Sequence, residues 1–132
     1  MNKALIEKLI EHARLAADNA YCPYTSTAEG ASLLVEGNII FSGCNIECSI
    51  PSSSFDAGEV AILKAISEGQ NGLLAICFFS ERHMPYPHGR AAQLAGEFKR
   101  DLDIIVATKG TYSLHKLYEL FPFLPQRITT ED

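Results

Sequence analysis

Two short segments carry the side chains best suited to chemistry. The segment SSSFDAGE places two carboxylates, Asp56 and Glu59, three residues apart, and the segment PHGRA places His88 two residues before Arg90. Carboxylates and imidazoles transfer protons in general acid–base catalysis, and both also bind zinc. The sequence therefore offers Asp56, Glu59 and His88 as candidates for catalysis, or for part of a metal site.

The two acids also have a purely structural explanation. Asp is a preferred N-cap residue, and a Glu three residues after it has the spacing of a capping box. Asp56 and Glu59 could therefore satisfy backbone amides at the start of a helix. In that interpretation neither acid needs a catalytic role.

Hydrophobic periodicity predicts an alternation of helices and strands around these segments. The order α-β-β-α-β-α-β-α is typical of a mixed sheet with helices on both faces. The helices are expected at residues 2–20, from Asp56 to Gly69, at 89–98 and at roughly 113–121; a β-hairpin is expected near 30–43, with further strands at 73–79 and 103–108.

Length and composition limit the classes of partner. The 132 residues predict a single domain, 1–132, and the net charge of −5 argues against a nucleic-acid partner. The longest apolar run has seven residues, Leu73 to Phe79, so we expect no membrane insertion or export. Four cysteines without disulfide-type spacing predict a reducing, cytoplasmic location.

Five segments, in order, resemble motifs of the small cytidine deaminases over nearly the full length of the chain. They are NAYCPYT, SGCNIE, AILKAISEG, PHGRAAQLAGEF and LYELFP. The resemblance implies an α/β fold, a cytidine-deaminase-like three-layer α/β/α sandwich with a mixed central sheet. It also implies self-association as a homotetramer, with a dimer as the second choice.

The resemblance implies a zinc site that has lost its ligands. In that family zinc is held by the first residue of a C-A-E or H-A-E triplet and by both cysteines of P-C-x-x-C, and the triplet Glu moves protons to and from the base. An ungapped comparison places Asp56, His88 and Ala91 at the ligand positions and Gly58 at the catalytic Glu. Catalytic zinc needs three protein ligands, and Ala91 has no donor atom. We therefore expect no metal and no other cofactor.

A second alignment register also leaves one zinc-ligand position without a donor atom. A one-residue insertion before Asp56 would align Glu59 with the catalytic Glu, but would put Ala57 in a ligand position. Without that insertion, Glu59 is rotated by about 100° around the helix and is expected to point away from the catalytic position. We predict that a contact between Asp56 and His88, extended by Glu59 and Arg90, replaces the metal as a local tie.

Binding groups are better preserved than the metal site. The family's N-I-E uses its Asn and Glu on ribose hydroxyls, and Asn45 and Glu47 stand at those positions, with Ala57 as the retained middle residue of the triplet. Alternatively, Asn45 and Glu47 belong to a loop that hydrogen-bonds its own backbone. The part of the site that would border the base of a nucleoside is altered, because the family's F-P-V corresponds to residues 27–29 and its late aromatic residue to Pro125.

Three functional hypotheses follow from these residues. The preferred one is a homologue that has lost zinc and hydrolytic deamination, and that either binds a nucleoside-like molecule or serves through assembly. The alternative is an active zinc-dependent deaminase of cytidine, or of a related aminated base, with an atypical metal site. The third is different hydrolytic chemistry using Asp56, His88 and Glu59.

Overall fold

The computed structural model describes residues 1–125; residues 126–132, the end of the predicted domain, lie outside this range. No helix within the described range is long and apolar enough to cross a membrane. The elements are α1 (Lys3–Ala17), β1 (Glu29–Val35), β2 (Ile39–Cys44), a 3₁₀ turn (Pro51–Ser53), α2 (Ala57–Ser67), β3 (Leu73–Ser80), α3 (Gly89–Phe98), β4 (Asp103–Thr108), β5 (Thr111–Lys116) and α4 (Leu117–Leu120).

The five strands form one mixed sheet in the order β2-β1-β3-β4-β5. Strands β3 and β4 are parallel, and the other neighbouring pairs are antiparallel. A parallel pair needs a crossover connection, and α3 supplies it between β3 and β4. The predicted mixed sheet is confirmed.

Side chains from alternate strand positions form two separate cores, as the two-residue period of a strand requires. Leu33 and Ile76 pack in the core beneath α2 and α3, whereas Leu34 and Cys77 pack in the core beneath α1. Helices therefore cover both faces of the sheet, and the predicted three-layer α/β/α sandwich is confirmed.

The predicted helix at roughly 113–121 is wrong for its first half. Residues Thr111–Lys116 form the edge strand β5, paired with β4, and only Leu117–Leu120 is helical. Gly110 has φ +84°, a left-handed conformation that favours glycine, and it forms the hairpin turn that brings β5 beside β4. Pairing with β4 overrides the helical spacing of the leucines, and Leu114 is left half-exposed.

The helices that carry the candidate residues begin at the same edge of the sheet. Asp56 is the N-cap of α2, and His88 is the N-cap of α3. Helix α2 ends as predicted, with Gly69 in the left-handed conformation at φ +81°. Two helix N-termini, each with a partial positive charge, therefore lie beside the loop that follows β2.

Candidate functional site

A cavity of about 520 Å³ lies between the β2–α2 loop and the first turns of α2 and α3. It brings together six of the residues to which the sequence analysis gave a role: Asn45, Glu47, Asp56, Glu59, His88 and Arg90. Ala57 and Ala91 do not line it, and each is only 1% exposed. The lining residues are Thr25, Thr27, Glu29, Asn45, Glu47, Pro51, Ser52, Ser54, Phe55, Asp56, Glu59, His88 and Arg90.

A capping box fixes the two acids at the start of α2. Asp56 Oδ1 accepts a hydrogen bond from the Glu59 amide at 2.7 Å, and Glu59 Oε1 accepts one from the Asp56 amide at 3.4 Å. The structural explanation from the sequence is thus confirmed. It uses only half of the Asp56 carboxylate, because Oδ2 has less than 1 Å² accessible and no hydrogen-bond partner within residues 1–125.

Burial raises the pKa of Asp56 above its ordinary value of 3.8. The Glu59 amide, His88 and Arg90 act in the opposite direction, and the negative charge of Glu29 adds to the increase. A carboxyl whose pKa is raised by folding takes up a proton more readily in the folded state than in the unfolded one. Ionised Asp56 therefore reduces stability as the pH rises from about 3.8 through the folded pKa.

Replacing Asp56 by Asn should reveal this destabilising charge. Asp56→Asn keeps an oxygen that accepts from the Glu59 amide but removes the buried charge, so the variant is expected to gain stability relative to the natural chain as the pH rises from 3.5 to 7. Asp56→Ala also removes the cap and should be about 1 kcal/mol less stable than Asp56→Asn. Urea unfolding across that pH range measures both differences; a constant gap between Asp56→Asn and the natural chain would contradict the raised pKa.

An ion pair between Glu59 and Arg90 closes one wall of the cavity. Arg90 Nη2 lies 3.0 Å from Glu59 Oε2, and the Glu59 side chain is only 8% exposed. The guanidinium also donates to the carbonyls of Ser52 and Ser54 and lies 5.4 Å from the centroid of the Phe55 ring. Arg90 therefore ties α3 to α2 and to the β2–α2 loop.

The two helix starts are linked by a different pair of side chains from the one expected. The predicted contact between Asp56 and His88 is wrong: within residues 1–125 no hydrogen bond or ion pair joins them, and His88 acts on Asp56 through charge alone. Glu59 points away from the direction of position 58, as expected: a Cβ at Gly58 would meet the Phe78 ring, whereas the Glu59 carboxylate lines the cavity, where Arg90 and the capping box hold it. The tie between the two helices is Glu59–Arg90.

Asn45 and Glu47 hydrogen-bond the segment 24–29, which leads into β1, and not the loop that carries them, so the interpretation of a loop bonded to its own backbone is wrong. Asn45 Oδ1 accepts from the Glu29 amide at 2.8 Å, and its Nδ2 donates to the Thr27 carbonyl at 2.9 Å. Glu47 accepts from the amides of Tyr24 and Thr25 and from the Thr25 hydroxyl. The Thr25 hydroxyl is the main reason why the pKa of Glu47 is lowered. Both side chains still line the cavity, so this role leaves ligand binding open.

Gly58 faces the sheet, and an aromatic ring occupies the space beside it. A Cβ atom at this position would lie less than 3.0 Å from two ring carbons of Phe78, a distance that real Cβ atoms essentially never show. Phe78 is a buried residue of β3. Sequence reasoning missed Phe78, since nothing in the apolar strand LLAICFFS indicates which ring lies against α2.

Comparisons with known proteins identify the family. The cytidine deaminase of Sporosarcina psychrophila is 37% identical over 94 residues, which is 70% of this chain and 69% of that protein. The probable cytidine deaminase of Dictyostelium discoideum is 32% identical over 138 residues, covering 100% of this chain and 89% of that protein. The chain belongs to the cytidine deaminase family. No protein-family model matches it.

A solved cytidine deaminase structure agrees with this assignment. The cytidine deaminase of Burkholderia pseudomallei superposes with a TM-score of 0.86 at 27% sequence identity, and the match covers 94% of this chain and 99% of that one. The mixed sheet and its flanking helices are therefore the cytidine deaminase fold.

The side chains present do not fit the zinc ion that this family implies. No group of three or more His, Cys, Asp or Glu side chains in the described part of the chain could hold a metal ion. Of the three positions that the motifs match to zinc ligands, Ala91 offers only a methyl group, and Asp56 and His88 offer two donors where a catalytic site needs three.

Proposed function

We propose that this member of the cytidine deaminase family neither holds catalytic zinc nor deaminates cytidine, and that its cavity binds a nucleoside-like molecule. The observation that carries the proposal is the contact between Gly58 and Phe78. The position matched to the catalytic Glu has no side chain, and the ring of Phe78 occupies the space that a side chain would need. Loss of the proton carrier and loss of a zinc donor at Ala91 support the same conclusion.

The remaining acids are poorly placed to replace the lost chemistry. Unactivated water has a pKa of about 15.7, and metal binding is what lowers it toward neutrality in this type of enzyme. Glu59 is held by Arg90 and by the Asp56 amide, and Asp56 is half used as a helix cap. General-base assistance by a carboxylate contributes typically 10²–10⁴-fold, which is small beside that of an activated hydroxide.

Binding requires less of the site than catalysis. A cavity of about 520 Å³ lies within the usual range of small-molecule sites. A carboxylate has about four acceptor positions, and Tyr24 and Thr25 occupy three of those on Glu47. One position therefore remains for a hydroxyl of the ligand, which is the ribose-binding role that the family motif gives to this residue.

One observation favours the alternative, a zinc-dependent deaminase with an atypical site. The unpartnered Oδ2 of Asp56 is an electron-pair donor whose burial without a partner is unfavourable, and His88 lies near enough to act on its charge. A third donor would have to come from a rearranged loop, since none stands beside these two in the described residues.

Assays of turnover and binding on one preparation test the proposal. We expect no loss of cytidine absorbance, with or without added zinc, and saturable heat on titration with cytidine or uridine. The Asn45→Ala variant should weaken that binding, since it removes the hydrogen bonds that hold the Glu29 amide at the start of β1 and the Thr27 carbonyl before it. Turnover that depends on added zinc would favour the alternative, and absence of any nucleoside binding would refute the binding role.

We also propose assembly as a homotetramer in the reducing cytoplasm. Tyr21 bridges to Ile46, Ile46 bridges to Phe55, and all three large apolar side chains are exposed. Exposed apolar surface of this kind commonly marks protein–protein contacts. All four cysteines are free thiols, as a reducing compartment favours. Light scattering should give a tetramer; a dimer is the second choice, and a monomer would contradict assembly.

A further inference from the structure

The cavity contains more negative charge than its own cations neutralise. Its lining includes four carboxylates but only one guanidinium and one imidazole. The guanidinium of Arg90 is already committed to Glu59 and to two backbone carbonyls. Glu47 accepts three hydrogen bonds from Tyr24 and Thr25, and the ribose hydroxyl of the proposed ligand takes its remaining acceptor position. Two carboxylates, those of Glu29 and Asp56, therefore each keep one oxygen without a hydrogen-bond partner within residues 1–125.

Glu29 is the accessible member of this pair. Its side chain is 19% exposed, and Oε2 lies 3.4 Å from Nε2 of His83, whose own side chain is 47% exposed. Within residues 1–125 no partner binds the other oxygen, Oε1. The position matches the last residue of the family's apolar F-P-V segment at the base end, so a carboxylate here changes what that end of the cavity accepts.

Asp56 adds negative charge to the same end of the cavity. Its unpartnered Oδ2 is too buried to touch a ligand while the side chain keeps this conformation. Its charge and that of Glu29 nevertheless act on one another. A positively charged group bound at Glu29 would relieve this repulsion as well as form a direct hydrogen bond.

The polar groups around this end are mostly acceptors. The Thr25 hydroxyl donates to Glu47, and the Thr27 hydroxyl faces the Thr25 carbonyl at 3.4 Å. A neutral base that presents carbonyl oxygens would find few free donors here, whereas a group with several N–H donors would find free acceptors.

We propose that the ligand places a cationic, N–H-bearing group against Glu29, an inference that rests on the proposed binding of nucleoside-like molecules. The cavity then selects a positively charged heterocycle over a neutral one of the same shape. Charge-assisted hydrogen bonds are about twice as strong as neutral ones. With the partial exposure of Glu29, the expected preference is about tenfold in Kd.

Two nucleosides of nearly identical shape test this inference at neutral pH. 3-Methylcytidine is protonated there and presents an amino group, whereas 3-methyluridine is neutral and presents a carbonyl oxygen. Calorimetric titration should show about tenfold tighter binding of 3-methylcytidine. Glu29→Gln should abolish that preference, and Glu36→Gln, which makes the same charge change outside the cavity, should retain it.

The outcomes separate this inference from the proposed function. Equal binding of the two nucleosides, or tighter binding of 3-methyluridine, overturns the selection of cations and leaves nucleoside binding intact. A preference that survives Glu29→Gln overturns the role of Glu29. If neither 3-methylated nucleoside binds, and cytidine and uridine do not bind either, the inference and the binding role are both overturned.

Discussion

Gly58→Glu is expected to destabilise the folded chain by more than about 3 kcal/mol, because two unfavourable effects add. The new Cβ would overlap the Phe78 ring, and the new carboxylate would enter a buried position beside an apolar ring. Gly58→Ala isolates the steric effect and should lower the free energy of unfolding by about 1–3 kcal/mol. Urea unfolding monitored by circular dichroism measures both.

Comparing Gly58→Ala in the natural chain and in the Phe78→Ala variant tests the contact between Gly58 and the Phe78 ring. Phe78→Ala alone is expected to lower stability by about 3–5 kcal/mol by leaving a cavity. In that background Gly58→Ala should become neutral, or stabilising by up to about 1 kcal/mol, because the clash is gone and Ala is the better helix former. Gly89→Ala has nothing within 4 Å of its new methyl and serves as the control. Additive effects of the Gly58 and Phe78 substitutions would show that the ring does not occupy this space.

Restoring two thiolates should restore zinc without restoring deamination. Asp56→Cys with Ala91→Cys, beside the native His88, supplies the Cys₂His set found in zinc enzymes. We expect this double variant to purify with about one zinc per chain and to gain thermal stability with added zinc, since binding energy for the folded state adds to folding stability. Turnover should stay absent because Gly58 still lacks a proton-transferring group.

A register control makes the zinc result specific. Asp56→Cys with Ala92→Cys introduces the same two thiols, but one of them is rotated by about 100° around α3. Ala91 and Ala92 are both 1% exposed, so the two double variants are matched in burial. Zinc in the first variant alone supports the assignment of Asp56, His88 and Ala91 to the ligand positions. Equal zinc in both, or none in either, would contradict it.

Local features of the fold were predictable from the sequence because they depend on neighbouring residues. The capping box of α2 follows from Asp56 and Glu59, and the left-handed end of that helix follows from Gly69. Helix α3 begins and ends where its apolar spacing places it, at Gly89–Phe98. The N-cap role of Asp56 depends only on nearby residues, so the hydrogen bond that its Oδ1 accepts from the Glu59 amide was predictable.

The features that were missed depend on contacts distant in sequence. Strand β5 forms because β4 is available to pair with it, and its leucine spacing alone indicated a helix. The ring that faces Gly58 comes from β3, twenty residues later, and the His83 that pairs with Glu29 comes from the loop after β3. Asp56 and His88 stand at two helix starts, but their motif positions do not fix the direction of either side chain. Arg90, and not His88, links α3 to α2, because its guanidinium reaches the Glu59 carboxylate.

The zinc content of the natural chain, expressed in zinc-supplemented medium and purified without chelators, tests the central claim most directly. Elemental analysis should find far less than one zinc per chain, and the same sample should leave cytidine unchanged in an ultraviolet assay. One zinc per chain, accompanied by conversion of cytidine to uridine, would contradict the account and establish an active deaminase with an atypical metal site.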